Sequence, residues 1–133
     1  MNLSSKTYTI QKNSKETFEF LSSVTNFKSL MPENLVQFDI LDDNTFSFTL
    51  KGMPQIMLKK SNTEPYRSMS WDSASGKINF TLVCILDELS NNETEITLKF
   101  SSSLNPMMAM MAKKPISSFI QTLAENTQKL LQN

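Results

Sequence analysis

Residues 105–131 read NPMMAMMAKKPISSFIQTLAENTQKLL. Asn105 is a good helix N-cap, because its side-chain oxygen can accept from an orphan amide of the first turn. Pro106 suits the first helical position, where no amide hydrogen is needed. Beyond Pro115, residues Ile116, Phe119, Ile120, Leu123, Thr127, Leu130 and Leu131 fall within an arc of about 120° at 3.6 residues per turn. A stripe of that width predicts a long amphipathic helix lying across the open face of a sheet.

Upstream the period is two, as strands require. Val36, Phe38 and Ile40 alternate with Gln37 and Asp39, Asp42-Asp43-Asn44 offers a turn, and Phe46, Phe48 and Leu50 resume the alternation. A weaker strand is expected at 54–61 and another at 66–72, with Met69 and Trp71 in phase. After a turn at 73–76, residues 77–86 point Ile78, Phe80, Leu82, Cys84 and Leu86 one way. A polar turn at 87–92 leads to 93–101, with Ile96, Leu98 and Phe100 on one face. Six strands at short spacing predict an antiparallel meander.

Before them, residues 3–10 read as a first strand. Asn13-Ser14 caps a helix through Ser23 that carries Phe18, Leu21 and Val24. Thr25 is expected to cap a second, carrying Phe27, Leu30 and Met31, with Pro32 stopping it. The order is β-α-α-β6-α, an α+β chain forming one domain over 1–133 with no repeat or linker.

Composition excludes much chemistry. The 133 residues hold no His, one Cys, and 13 Lys+Arg against 13 Asp+Glu. Without His the usual general base and commonest metal ligand are gone, and a Ser-His-Asp triad cannot form. One Cys allows no intrachain disulfide, zinc cluster or Cys-His pair. Gly52 and Gly76 stand alone, so there is no glycine-rich phosphate loop. Balanced charge argues against nucleic acid. No cofactor or metal is expected. The N-terminus lacks the apolar core of a signal peptide, and the longest aliphatic run is far below a bilayer span, so a cytoplasmic protein is expected.

The element order resembles the helix-grip fold of the START-like (SRPBCC) superfamily, which includes the polyketide cyclases and Bet v 1-like proteins. The resemblance rests on Ser14-Lys15-Glu16-Thr17-Phe18-Glu19-Phe20-Leu21, the segment from Phe27 to Pro32, Gly76-Lys77-Ile78-Asn79-Phe80, Asn92-Glu93-Thr94-Glu95-Ile96-Thr97-Leu98, and the last helix. The nearest branch is similar to the CoxG-type domain. The resemblance implies a curved sheet wrapped around the last helix, with a cavity between them for an apolar molecule. The CoxG branch is associated with membrane attachment through a C-terminal extension. The chain ends at Asn133, so the domain carries over and a stable membrane anchor is not expected.

Within that frame the inward aromatics Phe38, Phe48, Trp71, Phe80, Phe100 and Phe119, together with Met69, are candidates to line the cavity or simply to fill the core. Arg67, the only arginine, falls on the face of Met69 and Trp71 by strict alternation and is a candidate anchor for a ligand carboxylate, as is Tyr8. Its alternative is a strand-end arginine with its head in water. Cys84 reads as inert packing, and Asp42, Asp43, Asp87 and Glu88 as solvated turn residues.

Met107, Met108, Met110 and Met111 crowd one turn of the last helix. Four roles compete for that turn: core filling, a gate or ligand contact re-aimed by Pro115 and using Met108 and Met111, a homodimer contact, or a membrane contact beside Lys113-Lys114. The function expected is non-catalytic binding of a small apolar or amphipathic ligand, lipid-, quinone- or polyketide-like. The alternatives are a protein-interaction module or homodimer built on the Met turn, and a cyclase- or hydrolase-like enzyme.

Overall fold

The computed structural model describes residues 1–74 and 79–132. The second half of the turn expected at 73–76, and the first residues of the strand expected from 77, lie outside them. The elements are β1 (Asn2–Ser4), β2 (Tyr8–Ile10), α1 (Ser14–Ser22), α2 (Val24–Leu30), β3 (Leu35–Asp42), β4 (Thr45–Leu50), β5 (Ile56–Glu64), β6 (Ser68–Ser73), β7 (Phe80–Ser90), β8 (Glu93–Ser102) and α3 (Pro106–Leu130). The strands form one antiparallel sheet in the order β1-β8-β7-β6-β5-β4-β3, with β2 also on β8. The sheet is curved and α3 lies against it, which is the α+β helix-grip architecture expected.

The first strand is split in two. Ser4 pairs with Lys99 and Tyr8 with Ile96, so four steps on one strand oppose three on the other, a bulge. Ser5 bridges the gap. Its amide donates to the Leu98 carbonyl at 2.8 Å, and its hydroxyl accepts from the Leu98 amide at 3.0 Å.

The starts of α1 and α3 follow capping chemistry. The Asn13 side chain accepts from the Glu16 amide at 2.8 Å, and that of Asn105 from Met108 at 2.9 Å. The second helix begins one turn's fraction earlier than expected, with Ser23 rather than Thr25 at its N-cap. Glu88 is not a solvated turn residue. Its carboxylate accepts from both the amide and the hydroxyl of Ser14 at 2.9 Å, tying β7 to the start of α1. Those donors hold its pKa below the ordinary value of 4.5. A lowered folded-state pKa means the tie stabilises above 4.5 and is lost as acid protonates the group. Glu88→Gln should therefore lower stability at neutral pH and flatten the loss of stability below pH 4.5. Urea midpoints measured at several pH values check this.

Three further expectations are corrected. β7 runs on to Ser90, because a two-residue Asn91-Asn92 turn suffices to join it to β8. Val36 and Ile40, expected inward, are 66% and 47% exposed. Val36 is skipped by a register shift, and β3 is the edge strand, so Ile40, though paired with buried Phe46, stays half-exposed. Arg67 does not continue the inward face. The β5–β6 turn takes Pro65 to Arg67, with Tyr66 at φ 67° and the Arg67 amide donating to the Glu64 carbonyl at 2.9 Å.

The core is one cluster crossed by a run of aromatic rings. Phe27 of α2 lies 5.0 Å from Phe46 and 5.1 Å from Trp71, and Phe46 lies 5.3 Å from Trp71. Phe38 and Phe48 flank Phe46 at 5.3 and 6.0 Å, and Phe48 stacks on Phe119 of α3 at 4.9 Å. Cys84 is buried among apolar neighbours, and burial pushes its pKa up to about 12. About one thiol in 10,000 would then be thiolate at pH 8. Ellman's reagent should label it at least about a thousandfold faster in urea than in native protein, where access is also blocked.

Candidate functional site

α3 is clamped only along its second half by side-chain bonds seen among the described residues. The Asn126 amide donates to the Leu30 carbonyl at 2.9 Å, and Gln128 donates to Thr9 at 3.0 Å. Tyr8 donates its hydroxyl to Glu125 at 3.0 Å and accepts from Gln121, whose carbonyl takes the Lys6 amide at 3.0 Å. Burial and the Glu125 carboxylate together hold the Tyr8 pKa up. The helix runs unbroken through Pro115, which cannot donate to the Met111 carbonyl. That missing bond falls where the clamped half meets the unclamped half.

Between α3, the α2–β3 link and the end of β4 lies a groove of about 840 Å3. Met31, Pro32, Leu50, Pro115 and Phe119 supply its apolar walls. Lys114 and Lys129 stand at different turns of the helix along it, with Glu33, Asn34, Ser118, Thr122, Glu125 and Asn126 between and opposite. Five apolar and eight polar residues line it, a mixture that suits a molecule partly greasy and partly charged.

The ten residues expected at the site are dispersed. Phe119 lines this groove and stacks on Phe48 behind it. Phe48, Met69, Trp71 and Phe100 are buried, and Phe38 and Phe80 are partly so, with Phe80 stacked on Phe100 at 5.4 Å. The Trp71 indole N–H is buried with no acceptor among the described residues. Lys60 sits 5.5 Å over its ring and donates to the Ser22 carbonyl at 2.7 Å. Burial lowers the pKa of that ammonium.

Arg67 lies at the opposite end of the sheet from the first turn of α3, beside a surface hollow shared with Glu64, Tyr66, Asp87 and Glu88. Met108 and Met111 are exposed on α3, as are Met107 and Met110, so the Met turn does not fill the core.

Ser118, Thr122, Asn126 and Lys129 were not singled out by sequence. Their signal is a polar strip at helical spacing, which on any surface helix reads as the solvated face.

No protein-family model matches the chain, and no curated protein matches it by sequence. Solved structures do. Norcoclaurine synthase from Thalictrum flavum, in complex with dopamine and hydroxybenzaldehyde, superposes with a TM-score of 0.73 at 10% identity, covering 98% of this chain and 85% of that one. A START superfamily protein from Mycobacterium smegmatis gives 0.71 at 11% identity over 98% and 96% of the two chains. A conserved protein from Geobacillus kaustophilus gives 0.73 at 14% identity over 98% and 95%. No helix among the described residues is long and apolar enough to cross a membrane. Element order, sheet topology and these superpositions agree that the chain has the START-like helix-grip fold.

Proposed function

We propose that the protein holds a small amphipathic molecule, without transforming it, in the groove between α3 and the α2–β3 link. One observation carries the reading: apolar walls at Met31, Leu50 and Phe119 share a single hollow with two lysines, Lys114 and Lys129. The apolar part of a ligand would lie over Leu50 and Phe119, with Phe48 stacked behind Phe119. An acidic or otherwise polar head would meet Lys114 or Lys129. Burying about 300 Å2 of apolar ligand surface is worth roughly 7 kcal/mol before ordering costs, which suits micromolar or weaker affinity. The capture of small aromatic molecules by a synthase of the same fold supports the idea that this architecture accommodates such ligands.

Binding is favoured over catalysis by what the chain offers. It has no His, and its one thiol is buried with a raised pKa. The Tyr8 hydroxyl is engaged by Glu125 and Gln121. An enzyme on this groove would have to draw its acid and base from Glu33, Glu125, Lys114 and Lys129.

A native mass spectrum of protein taken from its source cells tests the reading. The expected result is an adduct of small-molecule mass that organic extraction removes. Protein that carries no adduct, and takes up none from an extract of the same cells, contradicts it.

A further inference from the structure

The first turns of α3 present apolar surface to solvent. Met107, Met108, Met110 and Met111 are 74%, 40%, 82% and 75% exposed. At about 100° per residue the four side chains cover an arc of about 160° centred opposite the buried stripe. Lys114 falls inside that arc, while Lys113, also exposed, lies about 60° beyond it on the side toward β1. A contiguous apolar patch of this kind on a folded chain marks a contact surface.

Charge decides between occupants. From Ile96 to Ala124 the sequence has no carboxylate and three lysines, Lys99, Lys113 and Lys114. The turns joining β3 to β4, β5 to β6 and β7 to β8 gather Asp42, Asp43, Glu64, Asp87, Glu88 and Glu93 at the far end of the sheet. A chain of zero net charge is thus weighted toward acid at the hairpin end, where Arg67 offsets one carboxylate, and toward base around the Met turn, where Glu33 shares the groove with Lys114. A second copy on a two-fold axis would set Lys113 and Lys114 against themselves, beside two helix N-termini of the same sign. Head-to-tail packing would match the charges but press methionines onto hydrated carboxylates. An anionic bilayer surface satisfies both features, since the methionines reach the acyl boundary and the lysines stay among the headgroups.

We propose that the Met107–Met111 turn, with Lys113 and Lys114, is a reversible docking surface for an anionic lipid membrane. Lys114 is shared with the groove, but Met107, Met108, Met110, Met111 and Lys113 lie outside its lining, so the methionine variant below reads docking apart from groove binding. Docking here would leave the acidic hairpin ends turned away from the membrane.

Co-sedimentation with vesicles of pure phosphatidylcholine, and of phosphatidylcholine with about one third phosphatidylglycerol, tests the proposal. Partition onto the anionic vesicles is expected to be at least about tenfold stronger and to weaken with salt. The double variant Lys113→Glu/Lys114→Glu, and separately Met107→Ser/Met110→Ser/Met111→Ser, should each lose about tenfold or more. Their melting curves should stay close to the parent's, because all five side chains are exposed. Vesicles should also slow peroxide oxidation of Met107, Met110 and Met111, read by peptide mass, relative to lipid-free protein. Absence of partition, or equal partition onto both vesicle types, overturns the proposal. So does a dimer in sedimentation velocity that the methionine variant dissolves, which would assign the patch to a second copy of the chain.

Discussion

Phe46→Ala is expected to cost about 3–5 kcal/mol of stability, enough to unfold a large share of a domain whose total is about 5–15 kcal/mol. Phe46 is fully buried on β4 and touches four rings, Phe27, Phe38, Phe48 and Trp71. Those rings belong to α2, β3, β4 and β6, so they cannot all collapse into the space it leaves. The loss therefore includes the transfer free energy of the ring and most of the cavity term. Urea unfolding followed by the emission of Trp71, the only tryptophan, reads it directly. A shift below about 1 kcal/mol would mean the aromatic run is less tightly packed than its spacing indicates.

The second large effect concerns the groove. Ser118→Tyr is expected to weaken binding of a probe such as dodecanoate at least about tenfold, because the ring would occupy the space its chain needs. Ser118 is exposed and lines the groove, so a larger side chain there meets open space rather than core. The melting temperature should change by only a few degrees. Displacement of anilinonaphthalene sulfonate by dodecanoate measures the affinity in both proteins. Equal affinities would move the site away from this face of α3.

The fold was largely legible because the two hydrophobic periods are clean. Phe46, Phe48 and Leu50 on β4, and Ile96, Leu98 and Phe100 on β8, are buried as the period of two requires. Ile116, Phe119, Ile120 and Leu123 follow the helical period onto the sheet. Alternation misled where the strand's surroundings changed, because period reports a face and not what covers it. Ile40 lies on the core-side face of an edge strand and is exposed, and Arg67 was counted in phase although the chain had already entered a turn.

The site was less legible for a related reason. Groove residues such as Ser118, Thr122 and Asn126 are ordinary solvent-face types, and only the nearness of Met31, Asn34 and Leu50 from other elements makes them a lining. That nearness depends on the α2–β3 link folding back beside α3. Large inward aromatics were the visible signal, yet Phe48 and Trp71 are buried in ring-to-ring contact, and Phe119 is the one that meets the groove. The Met turn was visible as an anomaly because an all-apolar turn cannot bury every side against one sheet.

An amphipathic molecule held in the groove would lie along α3 between Lys114 and Lys129. A titration of isotope-labelled protein with dodecanoate, followed by amide shifts, tests it most directly. Saturable shifts are expected at Glu33, Asn34, Ser118, Thr122 and Asn126, with little change at Glu64, Tyr66 and Arg67. Shifts confined to the Arg67 end of the sheet, or no saturable shifts at all, would contradict it.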